Sequence, residues 1–260
     1  MGEVDELRSP GLSSPPQMKH LIQSALGRFG YGFVNTHKLG WESWQDIRIL
    51  LKDVEAPVCF DVGAHTGETL AMMGRCFPQA TIHSFEPDPE SFSLLQQVAR
   101  QFPKASIYPL AMGDQPQTSK LLQNRASMTN SILEVSPECQ GQPHADLVQK
   151  VGEVPITVAT LDQFCPAHNI DRIDFLKTDC QGFDLRVLKG ASGLLAKRRV
   201  HIIQCEAMFD SEYVGQGWFY EILHFLTDMD YAPVSFHSLA RNSRHEINWA
   251  DVIFKRRHDG

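Results

Sequence analysis

The sequence predicts an α/β fold, a mostly parallel sheet with helices on both faces and a helical extension at the N-terminal side. Three observations predict it. From residue 57 onward, short apolar runs alternate with segments of helical period. Several runs, "VHIIQCE" at 200–206 above all, are apolar almost throughout, as strands buried on both faces must be. No internal repeat divides the chain, so the alternation builds one sheet.

The elements follow in order. Residues 1–17, "MGEVDELRSPGLSSPPQ", are rich in Ser, Pro, Gly and charge and read as a disordered tail. Residues 18–56 read as an N-terminal helical cap. It holds two patterns, "MKHLIQSAL" and "WESWQDIRILLKDV", the second with Trp41, Trp44, Ile47, Leu50 and Leu51 at helical spacing. The main domain, 57–257, begins with the strand "PVCFDVG" and the helix "GETLAMMGRCF", then a second strand, "ATIHSFEP". The helix "DPESFSLLQQVARQF" follows, with Asp88 as cap, Pro89 at its first position and a stripe of Phe92, Leu95, Val98 and Phe102. "ASIYPLAMG" reads as a third strand.

Residues 115–153 form a polar insert with little periodicity, "SKLLQN" within it being a candidate strand. Beyond it come the strand "VPITVATL", the helix "DQFCPAHN", the strand "IDFLKTD" and a helical unit, "GFDLRVLKGASGLL", broken at Gly190. "VHIIQCE", the helix "GWFYEILHFLTDM" and the strands "YAPVSF" and "ADVIFKR" complete the sheet. In such sheets ligands bind beyond the carboxyl ends of the strands.

Composition narrows the function. The net charge of -7 argues against a nucleic-acid partner, and "KRRVH" and "KRRH" are short enough to be solvated element ends. No apolar run has the length of a membrane span, and the acidic "MGEVDELRSP" is unlike a signal peptide. The six cysteines form no CxxC pair, so reduced core thiols are expected, with neither structural zinc nor a disulfide scaffold. The expected location is the cytoplasm.

The turn "DVGAHTG" carries the first functional signal. A dinucleotide fingerprint would read G-x-G-x-x-G, whereas Asp61, Gly63, His65 and Gly67 stand here. Ala64 and Thr66 fill out the turn. A carboxylate at the first position repels a pyrophosphate and suits a ligand with a cationic end, as S-adenosylmethionine has. Glu86, 25 residues on and followed by Pro87, ends the second strand, where it suits the two hydroxyls of a ribose. Met112 and Asp114, after the third strand, are candidates for the adenine edge. Each acidic residue could equally be a helix cap, and each glycine a plain turn. Their order at successive strand ends is what points to a nucleoside cofactor.

"FDVGAHTGETL", "SFEPDP", "LAMGD", "IDFLKTDCQGFDLRVLKGA" and "WADVIFKR" together resemble the FkbM family of S-adenosylmethionine-dependent methyltransferases, over about residues 57–255. In the fourth segment the chain keeps Lys177, Asp179, Gly182, Leu188, Lys189 and Gly190 of the family pattern. It departs at Gln181 and Asp184, where the family usually has Glu. The resemblance implies a Rossmann-like class I methyltransferase fold, with a seven-stranded sheet whose last strand is antiparallel. It also implies methyl transfer to oxygen, commonly a hydroxyl of a sugar, glycan or secondary metabolite.

Such a reaction needs in-line alignment and removal of the acceptor's proton. Asp179, at the end of its strand, is the first candidate for base or acceptor anchor, and Glu206 the second. Asn130 and Ser131 in the insert and His237 after "SF" are candidate acceptor contacts. No spacing demands a metal, and none is expected. Oligomeric state is open. Two other readings stand beside the methyltransferase: a nicotinamide oxidoreductase, which Asp61 disfavours, and a binding protein retaining the fold without catalysis.

Overall fold

A computed structural model describes residues 38–139, 142 and 144–257. The expected tail and the pattern "MKHLIQSAL" lie outside the described residues. Helix α1 (Ser43–Leu50) is capped by the Glu42 carboxylate, which accepts from the backbone N–H groups of Trp44 and Gln45. Trp41 precedes this cap and is exposed, so the apolar stripe begins at Trp44, whose ring meets Phe175 edge-on.

The next elements are β1 (Val58–Val62), α2 (Glu68–Cys76), β2 (Thr81–Phe85), α3 (Pro89–Ala99) and β3 (Ala105–Tyr108). The third apolar run is then cut at Pro109, and Ala111–Met112 form a separate short strand, β4. The polar insert is more regular than its weak periodicity suggests. Its flanks are β5 (Gln117–Asn124) and β6 (Lys150–Ala159), which pair antiparallel, while β4 pairs parallel with β6. This small second sheet buries Ala111, Leu121, Ile156 and Val158. The expected strands "SKLLQN" and "VPITVATL" fall largely within β5 and β6, which run longer than read because their outer positions are mostly polar and exposed.

The chain continues through α4 (Leu161–Ala167), β7 (Ile173–Thr178), α5 (Asp184–Lys189), α6 (Ser192–Ala196), β8 (Val200–Met208), α7 (Phe219–Asp228), β9 (Tyr231–His237) and β10 (Trp249–Arg256). The main sheet has seven strands in the order β3-β2-β1-β7-β8-β10-β9. β10 runs antiparallel to both neighbours, and the other pairs are parallel. Alternate residues of each strand feed two cores. Cys59, Phe175, Ile202 and Ile253 meet α1, α2 and α3 on one face, whereas Phe60, Leu176, Ile203 and Phe254 meet α4 to α7 on the other. All six cysteines are free. No helix among the described residues is long and apolar enough to cross a membrane.

Candidate active site

Strands β1, β2, β7 and β8 end side by side, and their outgoing turns wall a cleft of about 440 Å³. β1 leaves through Gly63 and Ala64, whose N–H groups both donate to the Phe85 carbonyl at 3.0 Å. Gly63 has φ +85°, and a Cβ there would stand 2.0 Å from the Asp179 carbonyl oxygen. Only glycine lets the ends of β1 and β7 approach so closely. His65 also holds a left-handed φ of 45°. That bend aims its N–H at Glu86 Oε2, 2.7 Å away, and its ring Nε2 meets Ser127 Oγ at 2.8 Å.

Glu86 accepts a second bond, from the Asp88 N–H, at 2.8 Å on Oε1. Each oxygen therefore has a lone pair left for a further donor. Burial pushes the Glu86 carboxyl up to about 7, against the pull of those two N–H bonds. Asp61 lies beneath the turn, opposite Lys177 in the β1–β7 register. It is fully buried, and neither carboxylate oxygen finds a donor among the described residues. Burial pushes it up to about 7 as well, and the Lys177 ammonium only partly offsets this.

The far end of the cleft is a network of side chains. Lys177 Nζ donates to Asp179 Oδ2 at 3.0 Å. Gln181 Nε2 donates to Asp179 Oδ1 at 3.0 Å and to Glu206 Oε2 at 3.1 Å, while its Oε1 accepts from the Tyr213 hydroxyl at 2.8 Å. Burial alone would raise Asp179, but Lys177 and the bond from Gln181 hold it below the ordinary carboxylate range. Glu206 moves the other way: burial first, then the Asp179, Asp184 and Asp251 charges, push it well above that range. Asp184 is structural. It accepts from Thr178 Oγ1 at 2.5 Å and the Cys180 N–H at 3.2 Å, so the shorter side chain still closes the turn into α5.

Of the sequence candidates, Gly63, Ala64, His65, Thr66, Glu86, Pro87, Met112, Asn130, Ser131, Asp179 and Glu206 line this cleft. Asn130 and Ser131 already have intramolecular tasks. Asn130 Oδ1 accepts from the Asn124 N–H, and Ser131 Oγ donates to the Gln181 carbonyl. Asp61 and Gly67 stand behind the lining: Gly67, at φ +95°, caps α2 against Leu95 and Val98. Two candidates are corrected. Asp114 is exposed and outside the lining, because the chain has already left the main sheet at Pro109. His237 is buried outside the lining, where Nε2 meets Asp46 Oδ2 and Ser235 Oγ, each at 3.0 Å, so it ties β9 to α1. Sequence reasoning missed Gln181 as a bridge and Tyr213, His144 and Glu212 as lining. "DSEYVGQGW" has no period, and nothing local marks it as facing the insert.

The family profile of the methyltransferase FkbM domain matches residues 61–233. Among curated proteins, the chain is similar to the hexuronic acid methyltransferase AglP of Haloferax volcanii, with 26% identity over 169 residues, 65% of this chain and 64% of that protein. It is also similar to the 2-O-methyltransferase NoeI of Sinorhizobium fredii, with 23% identity over 164 residues, 62% of this chain and 67% of that one. The chain thus spans about two thirds of the length of these relatives. Among solved structures, the methyltransferase FkbM from Methylobacillus flagellatus KT shares the fold, with a TM-score of 0.50 and 16% identity over 76% of this chain and 44% of that one.

Proposed function

The chain belongs to the FkbM methyltransferase family, and from that premise we propose that it transfers a methyl group from S-adenosylmethionine to a hydroxyl of a sugar or similar polyhydroxylated acceptor. One observation carries the reading. A single cleft joins the glycine turn and Glu86 to the Asp179–Gln181–Glu206 network. The catalytic unit in this reading is residues 57–257.

The residues fit such a donor. Asp61 is a buried carboxylate with no hydrogen-bond donor to either oxygen among the described residues, at a place where a cation would relieve it. Gly63 brings backbone to the cleft where a side chain has no room. Glu86 retains lone pairs for ribose hydroxyls, and Pro87, Leu110 and Met112 offer apolar walls for a base. When bound, the donor supplies a methyl group already activated by a positive sulfur.

The protein's own work is then alignment and proton removal. Asp179, kept ionised by Lys177, is a fixed anion that orients the acceptor hydroxyl. Glu206, joined to Asp179 through Gln181, is the base in this reading, accepting the hydroxyl proton in its ionised form. Gln181 holds the two carboxylates in register. The names of the relatives, a hexuronic acid and a 2-O-methyltransferase, support a sugar hydroxyl as the target.

The test is methyl-labelled donor incubated with a panel of hexuronic acids and neutral hexoses. Label should enter at least one acceptor at oxygen. Glu206→Gln should retain S-adenosylhomocysteine binding and lower kcat by about 10²–10⁴-fold, and Asp179→Asn, which loses the orienting anion, should also retain binding and lower turnover. Binding without label transfer to any hydroxylated acceptor would overturn the catalytic reading, and unimpaired turnover in Asp179→Asn would overturn its role.

A further inference from the structure

The tip of the insert brings three metal-ligating side chains together from distant parts of the sequence. Cys139 Sγ lies 3.4 Å from His144 Nε2 and 3.5 Å from Glu212 Oε1, and His144 Nε2 lies 2.6 Å from Glu212 Oε1. Cys139 and Glu212 are buried, and His144 is half-buried. We propose that Cys139, His144 and Glu212 form a three-ligand site for a zinc-class divalent cation whose fourth position opens into the acceptor end of the cleft.

The geometry supports this. A tetrahedral ion with metal–nitrogen and metal–oxygen bonds of about 2.0–2.1 Å and a metal–sulfur bond of about 2.3 Å keeps its ligand atoms roughly 3.3–3.6 Å apart. The two edges that include sulfur already have that length. The third is contracted to 2.6 Å, because a hydrogen bond between imidazole and carboxylate holds it closed. A small rotation of the His144 ring opens it.

The ligand set is selective too. Thiolate with imidazole and one carboxylate favours zinc over magnesium or calcium, which seek oxygen alone. Glu212 is supported from behind. Its Oε2 accepts from Asn248 Nδ2 at 3.1 Å, and its N–H donates to Gln216 Oε1 at 2.9 Å. Such outer partners fix a ligand's orientation toward a metal.

His144 and Glu212 line the same cleft as Asp179, whereas Cys139 lies behind them. Three protein ligands with an open fourth position form the pattern of a zinc site that binds an exchangeable ligand. Binding displaces the Cys139 thiol proton to solvent and requires His144 neutral at Nε2. The fourth ligand is water or an oxygen donor of the acceptor, a carboxylate or hydroxyl. That last assignment, and only that one, rests on the proposed methyltransferase function.

Co²⁺ reports the site directly. The full chain is stripped with chelator, titrated with Co²⁺, and read by absorption. The expected result is one ion per chain, with visible bands of a tetrahedral site and a near-ultraviolet thiolate charge-transfer band. Cys139→Ser should abolish the charge-transfer band, while Cys76→Ser should leave it. Asn248→Ala should keep the band but weaken Zn²⁺ affinity by about 10–100-fold. No tetrahedral spectrum, or one that survives Cys139→Ser, would overturn the site. Melting of each metal-free variant shows that it is folded. S-adenosylhomocysteine binding measured on the same samples reads the cofactor end separately: its loss beside an intact cobalt spectrum would sink the methyltransferase reading and leave the metal site standing.

Discussion

Gln181 departs from the family pattern that the sequence resembles, and its contacts explain why an amide works here. The amide nitrogen donates to Asp179 and Glu206 together, and the amide oxygen takes the Tyr213 proton. A carboxylate there would offer no donor and would add a third charge to the cluster. Gln181→Glu is therefore expected to raise the proton affinity of Glu206 further. The acid limb of the kcat/KM profile should move to higher pH, which a pH–rate series checks. In Glu206→Gln that limb should vanish, since a group whose pKa stands above the carboxylate range defines it. Asp61, Glu86, Asp179 and Glu206 were legible in the sequence because each is an acidic residue within or ending an apolar run. Their partners were not: Gln181 meets Tyr213 across 32 positions, and Cys139 meets Glu212 across 73. Such meetings depend on how the insert folds back, which no local pattern encodes. The three proposed metal ligands are scattered in the same way, two of them in "CQGQPH" and the third at Glu212.

At the scale of elements, the turn from β1 to α2 is the most constrained part of the cleft. Gly63→Ala would place a methyl group against the Asp179 carbonyl and force a left-handed φ on alanine. Overpacking of this kind costs about 1–3 kcal/mol. In a domain of this size each kcal/mol lowers Tm by about 2–4 °C, so a melt separates the variant from wild type. The strand and helix order of the main sheet could be read from apolar runs and period, because its strands are buried on both faces. The small sheet was legible only in part: "SKLLQN" and "VPITVATL" lie in two of its strands, but their full lengths, their pairing and the third strand were not. Its strands are amphipathic and largely exposed, and β4 has only two residues, split from β3 by Pro109. His237 was misplaced for a related reason: the sequence puts it at a strand end, but α1 supplies Asp46 to hold it away from the cleft.

For the whole molecule, the buried carboxylates set how stability varies with pH. Asp61, Glu86 and Asp184 each sit at about 7 in the folded chain, against ordinary values of 3.8, 4.5 and 3.8. Between about pH 4 and 7 the folded chain holds protons that the unfolded chain has released, so these three groups make stability fall as pH rises. Asp179, held low, acts oppositely, and its contribution is lost only as pH falls through its own depressed pKa. Tm should therefore decline from pH 5.5 to pH 8. Asp61→Asn should recover a few degrees of it at pH 8 while weakening ligand binding, a trade of stability for function. A ligand whose cationic end faces Asp61 reverses the burden, and its affinity should rise by up to about tenfold per pH unit below 7.

The central claim is that the turn at 61–67 and Glu86 hold an adenosyl thioether with a cationic end. Thermal melting of the full chain with S-adenosylhomocysteine, with NAD⁺ and with buffer alone tests it most directly. At about 100 times its dissociation constant a ligand adds about 2.7 kcal/mol. The account predicts a rise of several degrees with S-adenosylhomocysteine only, larger at pH 7.5 than at pH 6 and strongly reduced in Glu86→Gln. A rise with NAD⁺ instead, or no rise with either ligand, would contradict it.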